Sequence, residues 1–257
     1  MNLTVLILGV LAIYMIIKVR SLSSRNKQIG EVMELMDHLD DAETFYRLAD
    51  EKTASENAEF RNKVRCIKMF GDAYFSEIDR FREDLEALEP EALYLRNGKT
   101  DILNDEDSFF YLFLAIPNKL YHTGNAELIA PLYQKLDEHA EVLDTLLISK
   151  LGHEAAKFYR KEEDGGKAFF EQFLDGDYAG YRYNPQLIGI YKNIAMAFLA
   201  KLAQDAGEGI PEEYLEELRT FAAGKLGSRW TEELGITIPS VEPETVQEDD
   251  EEQSSGS

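Results

Sequence analysis

A chain of 257 residues with 44% apolar and 11% aromatic side chains can bury a core of its own, which excludes a wholly disordered protein. Its formal charge of −22 excludes nucleic acid as an expected partner, because neutralising phosphates takes lysine and arginine in excess. The single cysteine, Cys66, excludes an internal disulfide and suits a reducing compartment.

From Leu3 to Ile17 the chain carries no charge and is mostly apolar; Lys18, Arg20, Arg25 and Lys27 follow with no acid among them. A secretory leader has its bases before the apolar run and a small-residue cleavage site after it. Here the order is reversed, so an uncleaved membrane anchor is expected over a cleaved leader or a buried core helix. Residues 3–19, at about 1.5 Å each, reach about 26 Å against about 30 Å of hydrocarbon, a shortfall that snorkelling of Lys18 and local thinning make up. Bases beside a span stay in the cytoplasm, which places the amino terminus outside and everything after Lys18 inside. Lys18, Arg20, Arg25 and Lys27 are expected to contact anionic lipid at about 1 kcal/mol apiece. Setting those four aside leaves 23 basic against 49 acidic residues, a remainder of −26 that the same surface repels.

After the polar joint "SLSSRNKQ" the pattern is helical. Phe60, Val64, Ile67, Gly71, Tyr74 and Ile78 lie on one face of a long helix; Leu143, Leu147, Leu151, Ala155 and Phe158 mark a second, and Leu187, Tyr191, Ile194, Phe198 and Leu202 a third. Weaker patterns cover 29–39, 41–52, 82–95, 107–121, 126–138, 166–174 and 211–234. In "ALYLRNGKTDIL" the pair Asn97-Gly98 fits either a hairpin turn or the left-handed stop of a helix ending at Arg96, and the helix stop is preferred. Pro117 and Pro131 should kink their helices or mark true first turns. Short breaks between helices imply antiparallel neighbours. Beyond Gly235, "TIPSVEPETVQEDDEEQSSGS" holds seven acids and no base, a composition that cannot bury enough to order itself. The expected organisation is an anchor over 1–20, a basic juxtamembrane linker over 21–28, an all-α domain over 29–236 and an acidic tail over 237–257, solvated or docked on a basic partner.

"AAKFYRKEEDGGKAFFEQFL" resembles the junction between the two helices of a tetratricopeptide repeat, through Ala155, Ala156, Tyr159, the turn at Gly165-Gly166, Ala168 and Phe173. "MFGDAYFSEIDRF" is similar to the same family at Phe70, Gly71 and Tyr74. The likeness covers about a quarter of the chain; the interval from Ala168 to Phe173 is one residue longer than the family's, its closing proline is missing, and no 34-residue period emerges. The resemblance implies an antiparallel helical-hairpin solenoid or bundle that binds other proteins along a concave helical surface. Anchor, helical-repeat domain and acidic tail together also look like the mitochondrial outer-membrane import receptors, which makes that membrane the second setting after a bacterial inner membrane.

Motifs for chemistry are incomplete. "HEAAK" starts like the zinc protease motif, but Lys157 stands where the second histidine must be, and a cation does not ligate zinc. Asp175, Asp177 and Gly180 fall on the first, third and sixth places of a calcium loop, yet Ala179 and Gln186 occupy its fifth and twelfth, so no metal is expected. No phosphate loop and no nucleophile elbow is present, and neither a cofactor nor an enzymatic activity is expected. The loop "DGDYAGYRYNPQ" gathers Tyr178, Tyr181 and Tyr183 around Arg182: either the tyrosines pack the end of one helical hairpin on the next, the favoured reading, or they form a contact surface, since tyrosine offers large amphipathic area at small entropic cost. Lys192 and Asn193, on the following helix, are candidates to receive a peptide carboxylate. The expected function is a membrane-anchored docking module for other proteins; the alternative is a small-ligand or enzymatic domain with its site inside the bundle.

Overall fold

The computed structural model describes residues 27–239, apart from 29, 97 and 163 and the side chains of 96, 104 and 105. The expected anchor, with Lys18, Arg20 and Arg25, and the acidic tail after Pro239 lie outside the described residues. Among the described residues no helix is long and apolar enough to cross a membrane. Lys27 is described: its exposed ammonium pairs with Glu31 at 3.4 Å, one turn on.

Among the described residues the secondary structure is mostly helical. A helix over 30–36 (α1) leads to a hairpin of Ala42–Thr53 (α2) and Ala58–Phe75 (α3). The hairpin is defined by its caps: Asp41 accepts from Thr44 N at 3.2 Å and Asn57 from Phe60 N at 3.1 Å, each satisfying a first-turn donor. Gly71 lets the two helices close, since a Cβ there would sit 2.3 Å from the Phe45 ring. The long helix expected through Ile78 ends earlier. Ser76 turns left-handed (φ 60°), so Ile78 opens the next helix, Ile78–Glu86 (α4), and Tyr74 is left 38% exposed.

The preferred reading of "ALYLRNGKTDIL" is corrected. Pro90 divides the expected 82–95 helix, leaving a single turn, Glu91–Tyr94 (α5), before the chain extends. Leu95–Arg96 (β1) pairs antiparallel with Lys99–Thr100 (β2), Leu95 opposite Thr100, and Gly98 takes φ 72° between the strands. The left-handed glycine closes a hairpin, as Asn-Gly does between strands.

Residues 106–122 form a central rod: Glu106–Phe110 (α6), a π-helical segment at Tyr111–Ala115, and Ile116–His122 (α7). Pro117 accounts for the irregularity. It has no N–H to offer the Phe113 carbonyl, the bonding slips so that Ile116 N reaches Tyr111 O, and the buried Tyr133 hydroxyl donates to Phe113 O at 2.8 Å instead. Pro131 falls in the first turn of Ile129–Asp137 (α8), as one of the two expectations for it had it. One turn at Ala140–Leu143 (α9) precedes Leu147–Tyr159 (α10) and Lys167–Leu174 (α11); then come Ile188–Asp205 (α12), Glu212–Ala222 (α13) and Lys225–Leu234 (α14). Gly224 splits the expected 211–234 helix into α13 and α14.

One apolar core runs through all of this, from Leu35 and Phe45 to Trp230 and Leu234. Neighbouring helices pack in sequence, α2 on α3 and α11 on α12, but α14 also returns to α7. Repeats in a solenoid touch only their neighbours, so this closure is that of a bundle. A buried polar cluster locks it: Lys119 Nζ lies 2.7 Å from Glu233 Oε1, Asn118 donates to Glu233 Oε2 at 2.7 Å, and the Tyr159 hydroxyl donates to Asn118 at 3.2 Å. Thr237–Pro239, inside the expected tail, are held against the bundle by Gln204, through Thr237, and by Arg219, through the Pro239 carbonyl.

Candidate docking site at the tyrosine loop

The connection from α11 to α12 is fixed at several points. At its start Gly176 takes φ 96° and Asp177 N returns to Gln172 O at 3.0 Å, ending α11. Arg182 bridges the turn before α10: its N–H donates to Thr145 O at 2.8 Å and its carbonyl accepts from Leu147 N at 3.0 Å. The far end is held by Glu106, only 2% exposed, whose carboxylate accepts from Asn184 N and from the Tyr191 hydroxyl, both at 2.7 Å. Burial raises the Glu106 carboxyl above the usual range, and these two hydrogen bonds offset part of that rise. Asn184 then accepts from Gln186 N at 3.0 Å, a side-chain turn that starts the approach to α12.

On this frame the three tyrosines form a half-buried platform. Tyr178 leans on Phe173 of α11 (ring centroids 5.2 Å), and Tyr183 meets Tyr178 edge-on at 5.3 Å. Tyr178 and Tyr181 line a polar cleft of about 440 Å³ with Lys150, Glu154, Lys157 and Asp177. Tyr181 and Lys150 also line a second cleft, of about 430 Å³, with Asp137, Asp144, Ser149 and His153. Tyr181 is therefore common to both. Tyr183 supports Tyr178 through that edge contact, and Arg182, an exposed residue, contributes its backbone to the frame. Lys192 and Asn193 are half-buried on α12 and line neither cleft, so the structure does not bring them together with the tyrosines.

The charges beside the platform come from α10. Glu154, 4% exposed, takes both Lys150 and Lys157, the latter at 2.7 Å. Burial pushes its carboxyl up, but the two lysines outweigh that and hold it below the ordinary glutamate value; its hydrogen bond in turn raises Lys157. The spacings i, i+4 and i, i+3 are legible in "KLGHEAAK" as one helix face, which is the sequence signal of this charge cluster. His153 stacks on Tyr133 at 5.1 Å and stands between two acceptors, the Ser149 carbonyl at 2.8 Å from Nδ1 and Asp137 Oδ1 at 3.0 Å from Nε2. Serine, histidine and aspartate are thus close together, with Ser149 Oγ 3.4 Å from Nδ1. A carbonyl only accepts, so Nδ1 carries its proton and offers no lone pair to the serine. Among the described residues no cluster of three metal-ligating side chains occurs; Asp175 caps α11 and Asp177 faces the first cleft.

No protein-family model, curated protein or solved structure matches this chain.

Proposed function

We propose that the chain is a single-pass, amino-terminally anchored protein whose helical domain docks other proteins at the cytoplasmic face of a membrane, a bacterial inner membrane first. The observation that carries this reading is the platform itself. Tyr178 and Tyr181 are prearranged on the rims of two clefts by a loop tied to α6, to α12 and to the turn before α10. A fixed aromatic surface between charged clefts costs a partner little ordering entropy, the usual property of an anchoring patch. Tethering would act by raising the local concentration of the partner, without chemistry of the domain's own.

The test is crosslinking in intact membranes with the full chain, the double variant Tyr178→Ala/Tyr181→Ala, and a chain lacking residues 1–24. Docking through the platform requires that proteins attached to the unaltered chain be lost from the double variant while its fold persists. Identical attachment profiles would overturn the site, and equal capture by the truncated chain would overturn tethering.

A further inference from the structure

An apolar pocket of about 330 Å³ opens beside α1. Val32 and Met33 of α1, Ile67 of α3, Phe110 of α6, and Leu187 and Ile190 around the start of α12 line it, with Gln28 also in its wall. Met33 is 54% exposed there, the most open to water of the large apolar side chains among the described residues. We infer that the occupant of this pocket is the chain's own stretch 16–22, through Ile16, Ile17, Val19 and Leu22, which folds back while the chain is outside a bilayer and withdraws on insertion. The inference rests on the reading of residues 3–19 as a membrane anchor.

Three observations select this occupant. The first is where the undescribed amino-terminal part meets the described part: Lys27 joins it directly to Gln28, in the pocket wall. Leu22 is six residues from Gln28 and Ile16 twelve, which span at most about 20 and 40 Å, so both reach the pocket. The second is size. A cavity of about 150 Å³ lined by leucine, isoleucine and phenylalanine takes a benzene, so this pocket takes roughly three branched aliphatic side chains, which the stretch supplies. The third is charge: Lys18 and Arg20 interleave with those apolar residues and Arg25 follows them, whereas the pocket belongs to a strongly acidic domain and is lined by Asp107 and by Lys63, itself paired with Glu59 at 2.8 Å.

A tether this short gives an effective concentration in the millimolar range, above that of a second copy or a soluble ligand in dilute solution. The bilayer competes differently: it takes the whole run 3–17 out of water, whereas the pocket takes only a few side chains, so insertion empties the pocket. The pocket is then closed in chains awaiting a membrane and open in chains that have reached one.

Cys66 lines the pocket and is the chain's single cysteine, which makes it the reporter. Full chains carrying Leu22→Cys or Ile17→Cys, with exposed Glu208→Cys as control, are made without lipid or with vesicles of phosphatidylethanolamine and phosphatidylglycerol. The readout is intramolecular disulfide formation under mild oxidation. Without lipid, Leu22→Cys and Ile17→Cys should bond to Cys66 at least about tenfold faster than the control, an advantage that vesicles abolish for Ile17→Cys. Bonding no faster than the control without lipid overturns the fold-back alone. Bonds between chains overturn it in favour of a second copy. A fast bond at position 17 that persists undiminished in vesicles overturns the withdrawal, and the anchor reading with it. In the unaltered chain, alkylation of Cys66 by a small apolar maleimide should be slower without lipid than in vesicles; the reverse order also overturns the proposal.

Discussion

Asp72→Asn should remove a pH dependence that the unaltered domain builds into α3. Asp72 is fully buried, and neither carboxylate oxygen has a hydrogen-bond partner of good geometry. The nearby cations are engaged elsewhere: Lys68 reaches Asp84 at 3.0 Å and Asp50 at 2.8 Å, and Arg80 lies 4.0 Å from Asp50 and over the Tyr46 ring. Burial first, and then the charge of Asp84, push the Asp72 carboxyl up to about 8, against smaller opposing effects of Tyr46, Lys68 and Arg80. In the unfolded chain the same group titrates near 3.9. Between about pH 4 and pH 8 the folded state therefore holds a proton that the unfolded state has lost. Stability falls as pH rises across that window, by about 1.4 kcal/mol per unit, and this group's contribution flattens above pH 8. By pH 7 the accumulated cost is about 4 kcal/mol, a large share of what a domain of this size has to spare. Asparagine keeps the shape and does not titrate. The assay is chemical denaturation at a series of pH values, followed through Trp230, the single tryptophan and 2% exposed. Subtracting the variant from the unaltered chain cancels every other titrating group that the substitution does not touch. The difference should slope by more than 1 kcal/mol per unit between pH 5 and 7, and parallel profiles would refute a neutral buried Asp72.

Three further substitutions probe the frame. Gly71→Ala drives a methyl into the Phe45 ring and should cost about 1–3 kcal/mol, lowering the denaturation midpoint with an unchanged slope. Tyr133→Phe removes the hydroxyl that reaches both the Phe113 and Gly152 carbonyls, at 2.8 and 2.9 Å, and should cost about 1–3 kcal/mol in the same assay; no loss would mean that water or a shifted helix satisfies Phe113. Glu106→Ala frees the Asn184 amide and the Tyr191 hydroxyl, so amide exchange at Asn184 should accelerate while exchange within α3 holds; unchanged protection would show that Arg182 alone fixes the loop.

How much of this was legible in the sequence depends on the range of the interaction concerned. The face Phe60, Val64, Ile67 and Gly71 could be read because helix periodicity is a property of neighbours, and all four lie buried or at helix contacts in α3. The stop at Ser76 could not be read, because a non-glycine residue turns left-handed only where packing on both sides demands it. The hairpin at Gly98 was misjudged for the opposite reason: the local signal was present, but its choice between helix stop and strand turn depended on how short Pro90 leaves the preceding helix.

The tyrosine loop shows both limits at once. Its composition made it a candidate contact surface, yet what holds it is Glu106, 78 residues before Asn184 and 85 before Tyr191, in an acidic run where one more glutamate carries no signal. Only folding distinguishes Glu106, 2% exposed, from its exposed neighbour Asp107. Such a residue is also costly to place: a buried carboxyl without a cation persists only because two donors face it, and the loop that supplies one of them is the platform itself. The platform and the buried acid therefore hold each other in place, so a substitution at either should disturb both, whereas Lys192 and Asn193, outside that exchange, should tolerate change with little effect on the loop.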